Sequence, residues 1–258
     1  MIIIYKIMIH HKVLYTFHVY SDIMVLTNSL QESIPDVIRA VSFAQEFSDR
    51  PVYNIKEDAV PLAGSLFTAY RRLHLLESYN LAKLGRNQFE IKTDVVSQPL
   101  SVLKKLLPSL IALKNAKRFG KYYTESDVIF ARKNIPGQIL TTLDYAAWDI
   151  TKYQTPSNFY VYVNDLDAAS EFLKEESGFS EGSNGRVVLL PLVGDFGNKI
   201  ERVYLDCVAN GGRSSLDAVS IELQYGDQLT TRAHFPIEYV KKVQEESNRS
   251  SKYESISA

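Results

Sequence analysis

The chain has 258 residues, 45% of them hydrophobic, with a formal net charge of −1 and one cysteine. A charge so close to zero excludes a polycation that coats nucleic acid at large, so any basic surface has to be local. The lone Cys207 excludes an internal disulfide and a cysteine zinc finger, and fits a small buried hydrophobe in a reducing cytoplasm; the length fits two domains.

Residues 1–30 read as an N-terminal extension. MIIIYKIMI is apolar, but Lys6, His10, His11, Lys12 and His18 interrupt the run well short of a membrane span. No small-residue cleavage site follows it. Translation from Met24, or a loosely packed strand, accounts for the segment better than targeting. His10 and His11 are adjacent and point apart, with no further ligand at metal spacing.

Residues 31–96 carry a complete small-domain pattern. Ser33 suits an N-cap, and Ile34, Val37, Ile38, Val41, Ala44 and Phe47 follow at helical spacing. Pro51 to Tyr53 is a short extended piece. Asn54 with Glu57 three residues on predicts a capped second helix, Ile55 to Val60. From Val60 the spacing of Leu62, Leu66, Ala69, Leu73 and Leu76 predicts one further helix with a single buried stripe, begun by Pro61 at a first helical position. Its other face carries Ser65, Thr68, Arg71, Arg72 and His74. After Glu77 the period becomes two, and Gly85 marks the turn of a hairpin with Lys83, Arg86 and Asn87 near its tip. Helix, strand, helix, helix and hairpin make up a winged helix-turn-helix. A helix of that kind fits the major groove, where arginine pairs with guanine edges. The plain alternative is that Arg71 and Arg72 form an ordinary solvated face.

Residues 97–132 read as a basic helical connector. Leu100, Leu103, Leu106, Leu107, Leu110, Ile111 and Leu113 give it apolar faces, and Pro108 predicts a kink or a split in the run. Lys104, Lys105, Lys114, Lys117, Arg118 and Lys121 would extend a phosphate footprint or be solvated.

Residues 133–246 read as an α+β domain. Strands are expected at Ile139–Leu143, Phe159–Val163 and Val187–Leu192, the last at the sheet centre. Asp144–Trp148 reads as a turn or short helix. Asp165 caps an acidic helix, Leu166 to Glu176, that carries Asp167, Glu171 and Glu175, and Gly178 to Gly185 forms a loop. One helix ends at Gly211 and Gly212, where a stop needs positive φ, and a second runs from Ser214 to Tyr225. A last helix, Ile237 to Glu246, precedes a polar tail, 247–258, expected to lack structure. The overall expectation is an α+β protein, an N-terminal winged helix-turn-helix followed by a mixed α/β C-terminal domain.

Catalytic patterns are sparse. No glycine-rich phosphate loop precedes a Lys-Ser or Lys-Thr pair, and no paired histidines flank a glutamate. Asp165 and Asp167 have the spacing of the magnesium-holding aspartates of nucleotidyltransferases, but the upstream Gly-Ser pair is missing; a helix cap with a first-turn acid explains both carboxylates.

Two stretches, TTLDYAAWDITKYQTPSNFYVYV (141–163) and RVYLDCVANGGRSSLDAVSIEL (202–223), resemble the C-terminal domain of AbiEi-type transcriptional regulators, the antitoxins of abortive-infection toxin–antitoxin systems. Members of that family open with a winged helix, bind DNA upstream of their own operon, and antagonise a nucleotidyltransferase-like toxin. The resemblance implies a cytoplasmic, autoregulating repressor of no enzymatic activity and no cofactor or metal, with double-stranded DNA of its own promoter region and a cognate toxin as partners. By motif position it implies DNA contact by Ser65, Thr68, Arg71, Arg72, Lys83 and Arg86. His74, Asn87, Lys104, Lys105, Lys117 and Arg118 join them on charge and position alone. Monomer and dimer both stay open, and the chain is not expected to enter a membrane. Arg213 reads as a structural residue favoured by the carbonyls of the preceding helix end. The other functions weighed are a protein-docking module using the winged helix and the acidic helix, and a nucleotidyltransferase using Asp165 and Asp167.

Overall fold

The computed structural model describes residues 36–37, 39–47, 50–120, 125–194 and 197–256. The extension 1–30 with His10 and His11, the Ser33 cap, Ile34, Ile38 and Lys121 lie outside the described residues. The protein is mixed α+β, 58% helical and 15% strand, with two sheets. It divides into two compact units. The first holds the residues up to Leu76 together with Leu84–Phe89, and the second holds Glu77–Lys83 and everything from Glu90 onward.

In chain order the first part of the molecule gives a helix over 39–45 (α1) and a two-residue strand Tyr53–Asn54 (β1). A wide π-type turn Ile55–Ala59, α2 (Val60–Ala63) and α3 (Leu66–Ser78) follow, then the hairpin β2 (Ala82–Leu84) and β3 (Gln88–Ile91). The strand order is β1-β3-β2. Tyr53 pairs with Phe89 and Asn54 with Gln88, antiparallel, and the Ile55 N–H donates to the Asn87 carbonyl at 3.0 Å. Asn54 caps this turn, its Oδ1 accepting from the Lys56 and Glu57 N–H groups at 2.9 and 3.2 Å. The reciprocal bond expected of Glu57 is made instead by Asp58, which accepts from the Asn54 N–H at 2.7 Å, and the element is a π-type turn, not the expected helix to Val60. Arg50 holds the Asp58 carboxylate at 2.7 Å, and this hydrogen bond keeps the Asp58 carboxyl below its usual range. The core of this unit is aromatic. Phe47 meets Phe43, Tyr53 and Phe89 with ring centroids 5.0–5.1 Å apart, mostly edge to face, a geometry that ring quadrupoles favour.

Another expectation here is corrected. The continuous helix from Val60 is broken in two, because Gly64 takes φ +78°, a left-handed conformation open to glycine. The stripe is therefore shorter than its spacing predicted. Ala69, Leu73 and Leu76 are buried, whereas Leu62 and Leu66 are exposed. The hairpin is shorter too, since α3 runs on to Ser78 and Asn80 turns the chain with φ +55°.

The second unit is built on a five-stranded sheet, ordered β5 (Gln138–Thr142), β6 (Phe159–Val163), β8 (Val187–Pro191), β4 (Lys117–Gly120), β7 (Ser180–Glu181). Only β6 and β8 run parallel. As expected, the apolar run at Val187 lies at the sheet centre; its first four residues are buried, and so is all of β6. One side packs Phe159, Val161, Val163, Val187 and Leu189 with Val128 and Ala131 of α6 (Glu125–Asn134) and Ala169 of α8 (Leu166–Glu171). The unit's other helices are α4 (Thr93–Val96), α5 (Leu100–Lys114), α7 (Leu143–Thr151), α9 (Lys199–Asn210), α10 (Arg213–Tyr225) and α11 (Ile237–Ile256). Of these α9 packs against α5, α7 and α10. Among the described residues, no helix is long and apolar enough to cross a membrane.

Two further expectations are corrected here. Residues 97–132 are not one helical connector. Helix α5 runs through Pro108 and stops at Lys114, and Lys117–Gly120 is a strand inside the sheet. Antiparallel pairing with β8, not helical spacing, places these residues, Arg118 opposite Val188 and Phe119 opposite Val187. The stretch beyond Glu246 continues α11 to Ile256 instead of losing structure.

A buried polar network joins this sheet to α9. The Asp206 carboxylate accepts from Thr142 Oγ1 at 2.6 Å and from the Tyr162 hydroxyl at 2.9 Å, and pairs with Arg202 Nε at 3.1 Å. Arg202 also donates to Tyr162 at 2.6 Å. All four side chains are buried, which such groups tolerate only when they satisfy one another.

Candidate nucleic-acid interface

The candidate interface is built on α3. Ser65 opens the helix: its hydroxyl accepts from the Thr68 N–H at 3.1 Å and donates to Thr68 Oγ1 at 2.9 Å. Both candidate hydroxyls therefore serve the helix start, where orphan N–H groups need acceptors. Further along, Arg71 and His74 are exposed while Arg72 is half-buried. The guanidinium of Arg72 lies over the Phe43 ring at 5.1 Å. It is part of the packing of α1 on α3, so this arginine has a structural task that its neighbour lacks. His74 stacks on Tyr70 with centroids 6.0 Å apart.

The fold gathers three of the expected residues. Arg71, Arg72 and His74 line a groove of about 410 Å³ together with Leu75 and with Asp36 and Arg39. Asp36 lies 3.3 Å from the Arg39 guanidinium. Among the described residues, three arginines line it against one carboxylate. Arg86 and Asn87 are exposed at the hairpin turn, and Lys83 is exposed on β2. The Asn87 carbonyl accepts from the Ile55 N–H, which ties the hairpin turn back to β1.

The remaining expected residues belong to the second unit, and all but Lys104 are engaged within it. Lys117 pairs with Asp167 at 2.7 Å. Arg118 donates to Asn158 Oδ1, the Gly185 carbonyl and the Tyr160 hydroxyl at 3.0, 2.8 and 3.2 Å. Lys105 reaches Thr230 Oγ1 at 2.9 Å, and Lys104 is exposed on α5. Lys117 and Arg118 thus hold the sheet and its loops together, and neither is presented as a phosphate-seeking cation.

Two residues escaped the sequence reading. Arg39 did so because only tertiary packing brings α1 beside Arg71. Phe67 did so because it lies off the Leu62–Leu76 stripe and carries no polar group, yet it stands 77% exposed. Its signal was legible: Phe67, Arg71 and His74 fall at i, i+4 and i+7, one face of a helix.

The carboxylates with nucleotidyltransferase spacing have other work. Asp165 Oδ1 accepts from the Asp167 and Ala168 N–H groups at 3.0 and 2.9 Å, capping α8. Lys117 hydrogen bonds to Asp167 and holds its carboxyl below the usual range. Among the described residues, no three His, Cys, Asp or Glu side chains are grouped to hold a metal ion.

The Gly211-Gly212-Arg213 junction is held by its own unit. Asp94 accepts from the Gly212 N–H and from Ser215 Oγ, both at 2.8 Å, and Lys92 donates to the Asn210 carbonyl at 2.8 Å. Gly211 has φ +64°, and a Cβ there would lie 2.9 Å from Lys92 Cδ and Val95 Cγ2. Arg213 is structural, but not through the end of α9. It donates to Gln154 Oε1 at 2.9 Å, to the Thr155 carbonyl at 2.6 Å, and to Ser157 Oγ, fixing that loop. Comparison of the chain with protein-family models, with curated proteins and with solved structures finds no match.

Proposed function

We propose that the protein is a non-enzymatic, DNA-binding transcriptional regulator whose first part is a winged helix that reads the major groove with α3. The observation that carries this reading is the element order helix, strand, helix, helix, hairpin, with the early strand β1 added to β3 on the side away from β2. That arrangement leaves α3 with an outward face bearing Arg71 and His74, and the hairpin turn with Arg86. Arginines placed this way pair with guanine edges and with phosphates. No carboxylate stands in the sequence between Asp58 and Glu77, so nothing acidic on α2 or the first turns of α3 repels a polyanion.

The narrower reading, an autoregulating repressor of an abortive-infection toxin–antitoxin pair, takes its support from the AbiEi-like stretches 141–163 and 202–223. A helix stop at Gly211 and Gly212 followed directly by α10 agrees with that pattern. On this reading the operator is the protein's own promoter DNA, the partner is a nucleotidyltransferase-like toxin, and both act in the cytoplasm.

The test is a gel-shift titration against the DNA upstream of the protein's own gene and against a scrambled duplex, at two salt concentrations. Tighter, salt-sensitive binding to the upstream duplex supports a sequence-specific regulator. Absence of a shift on both duplexes removes the DNA reading.

A further inference from the structure

The most exposed large hydrophobic side chain among the described residues is Phe67, 77% accessible in the first turn of α3. Leu66 beside it is 42% accessible and Leu62, on α2, 51%. Single exposed apolar residues need no explanation, but three within six residues, Leu62 before the Gly64 break and Leu66 and Phe67 after it, do. The patch is not isolated from charge. Phe67, Arg71 and His74 recur at i, i+4 and i+7 and so share a face, and the sequence around them is free of carboxylates from Ala59 to Leu76.

A helix face combining an exposed ring with an arginine one turn on, with Asp36 of α1 as the carboxylate lining the neighbouring groove beside Arg39, suits an anionic partner whose surface is partly apolar. The wall of the DNA major groove is such a surface. There the C5 methyl of thymine projects beside the O6 and N7 acceptors of guanine, and phenylalanine is among the side chains that pack on that methyl. Four helical residues rise about 6 Å, close to two base-pair steps. Resting on the DNA-binding reading above, we propose that Phe67 is a specificity residue that packs on a thymine methyl about two base pairs from a guanine read by Arg71. The inference deepens that reading by naming part of the operator.

The experiment starts from selection of bound duplexes out of a randomised pool with the full-length protein. Each thymine of the winning duplex is then replaced by deoxyuridine, which removes the methyl and leaves every hydrogen-bonding group in place. Wild type is expected to lose about fourfold in affinity at one thymine near a guanine, the value of one methyl-sized group withdrawn from water. Phe67→Ala should bind the thymine and uracil duplexes equally at that position, and being exposed it should fold normally, which its thermal unfolding checks. Equal sensitivity of both proteins at every position overturns the inference while leaving DNA binding intact. Failure to select any duplex overturns the DNA reading and the inference together. Binding that ignores the methyl, combined with a dimer-to-monomer shift of Phe67→Ala in sedimentation, also overturns it and assigns the patch to a second copy of the chain.

Discussion

Arg71 and Arg72 are neighbours in sequence with different surroundings, and this contrast makes them separable by mutation. Arg72 covers the Phe43 ring at 5.1 Å, whereas Arg71 is exposed beside the groove it shares with Arg39. Arg72→Ala is expected to lower stability by about 1 kcal/mol, the value of a partly shielded cation–π contact. Arg71→Ala should leave stability within about 0.5 kcal/mol of wild type and weaken DNA binding about tenfold, as expected for one base-reading arginine. Urea titrations and gel shifts on the two variants measure both effects. A second residue is set apart by burial. Asp217 on α10 is 3% exposed, with one oxygen that finds no hydrogen-bond partner. Burial pushes its carboxyl from 3.8 up to about 7, against the pull of Gln154 and Arg213. Between those two values the folded state holds a proton that the unfolded state releases, so stability falls as pH rises through the window. Asp217→Asn imitates the neutral acid, and the variant's Tm should flatten across that window and exceed wild type above it.

At the scale of elements, two glycines act in different ways. Gly64 in the left-handed region separates α2 from α3 and thereby exposes Leu62 and Leu66. Gly185 acts through space. A Cβ there would sit 2.2 Å from the carbonyl carbon and oxygen of Phe119 and 2.7 Å from the Gly120 nitrogen, all backbone atoms of β4. Backbone in a paired strand cannot step aside, so Gly185→Ala should cost about 3 kcal/mol or more. Gly182→Ala, with nothing within 4 Å, is the matched control and should be close to neutral. Thermal unfolding of the two variants checks the pair. The same loop also supplies the Gly185 carbonyl to Arg118, which is why that cation is a structural strut.

At the scale of the whole molecule, the net charge of −1 gives no general attraction to a polyanion, so association has to rest on local exposed cations such as Arg71, Lys83 and Arg86. This makes the salt dependence diagnostic. Each phosphate neutralised contributes about −0.9 to the slope of log affinity against log salt. Arg86→Ala, at the exposed hairpin turn, should lower the magnitude of that slope by about 1. Arg118→Ala should leave it unchanged, because its guanidinium is held by Asn158, Gly185 and Tyr160. A slope that responds to Arg118 and ignores Arg86 would place the footprint on the wrong unit.

Local chemistry was enough to determine several features from sequence alone. Asn54 and Asp165 are caps because a short side-chain oxygen satisfies helix N–H groups two and three residues on. The Val187 strand is central because an unbroken apolar run fits a strand covered on both faces. Gly211 ends α9 because the chain needs positive φ there. Tertiary structure decided the rest. Lys117 and Arg118 look like part of a cationic helix until β8 and Asp167 claim them, and Arg39 joins Arg71 only when α1 folds against α3. Which cation is left facing water depends on the partners that distant segments bring, and spacing along the chain carries no record of those partners.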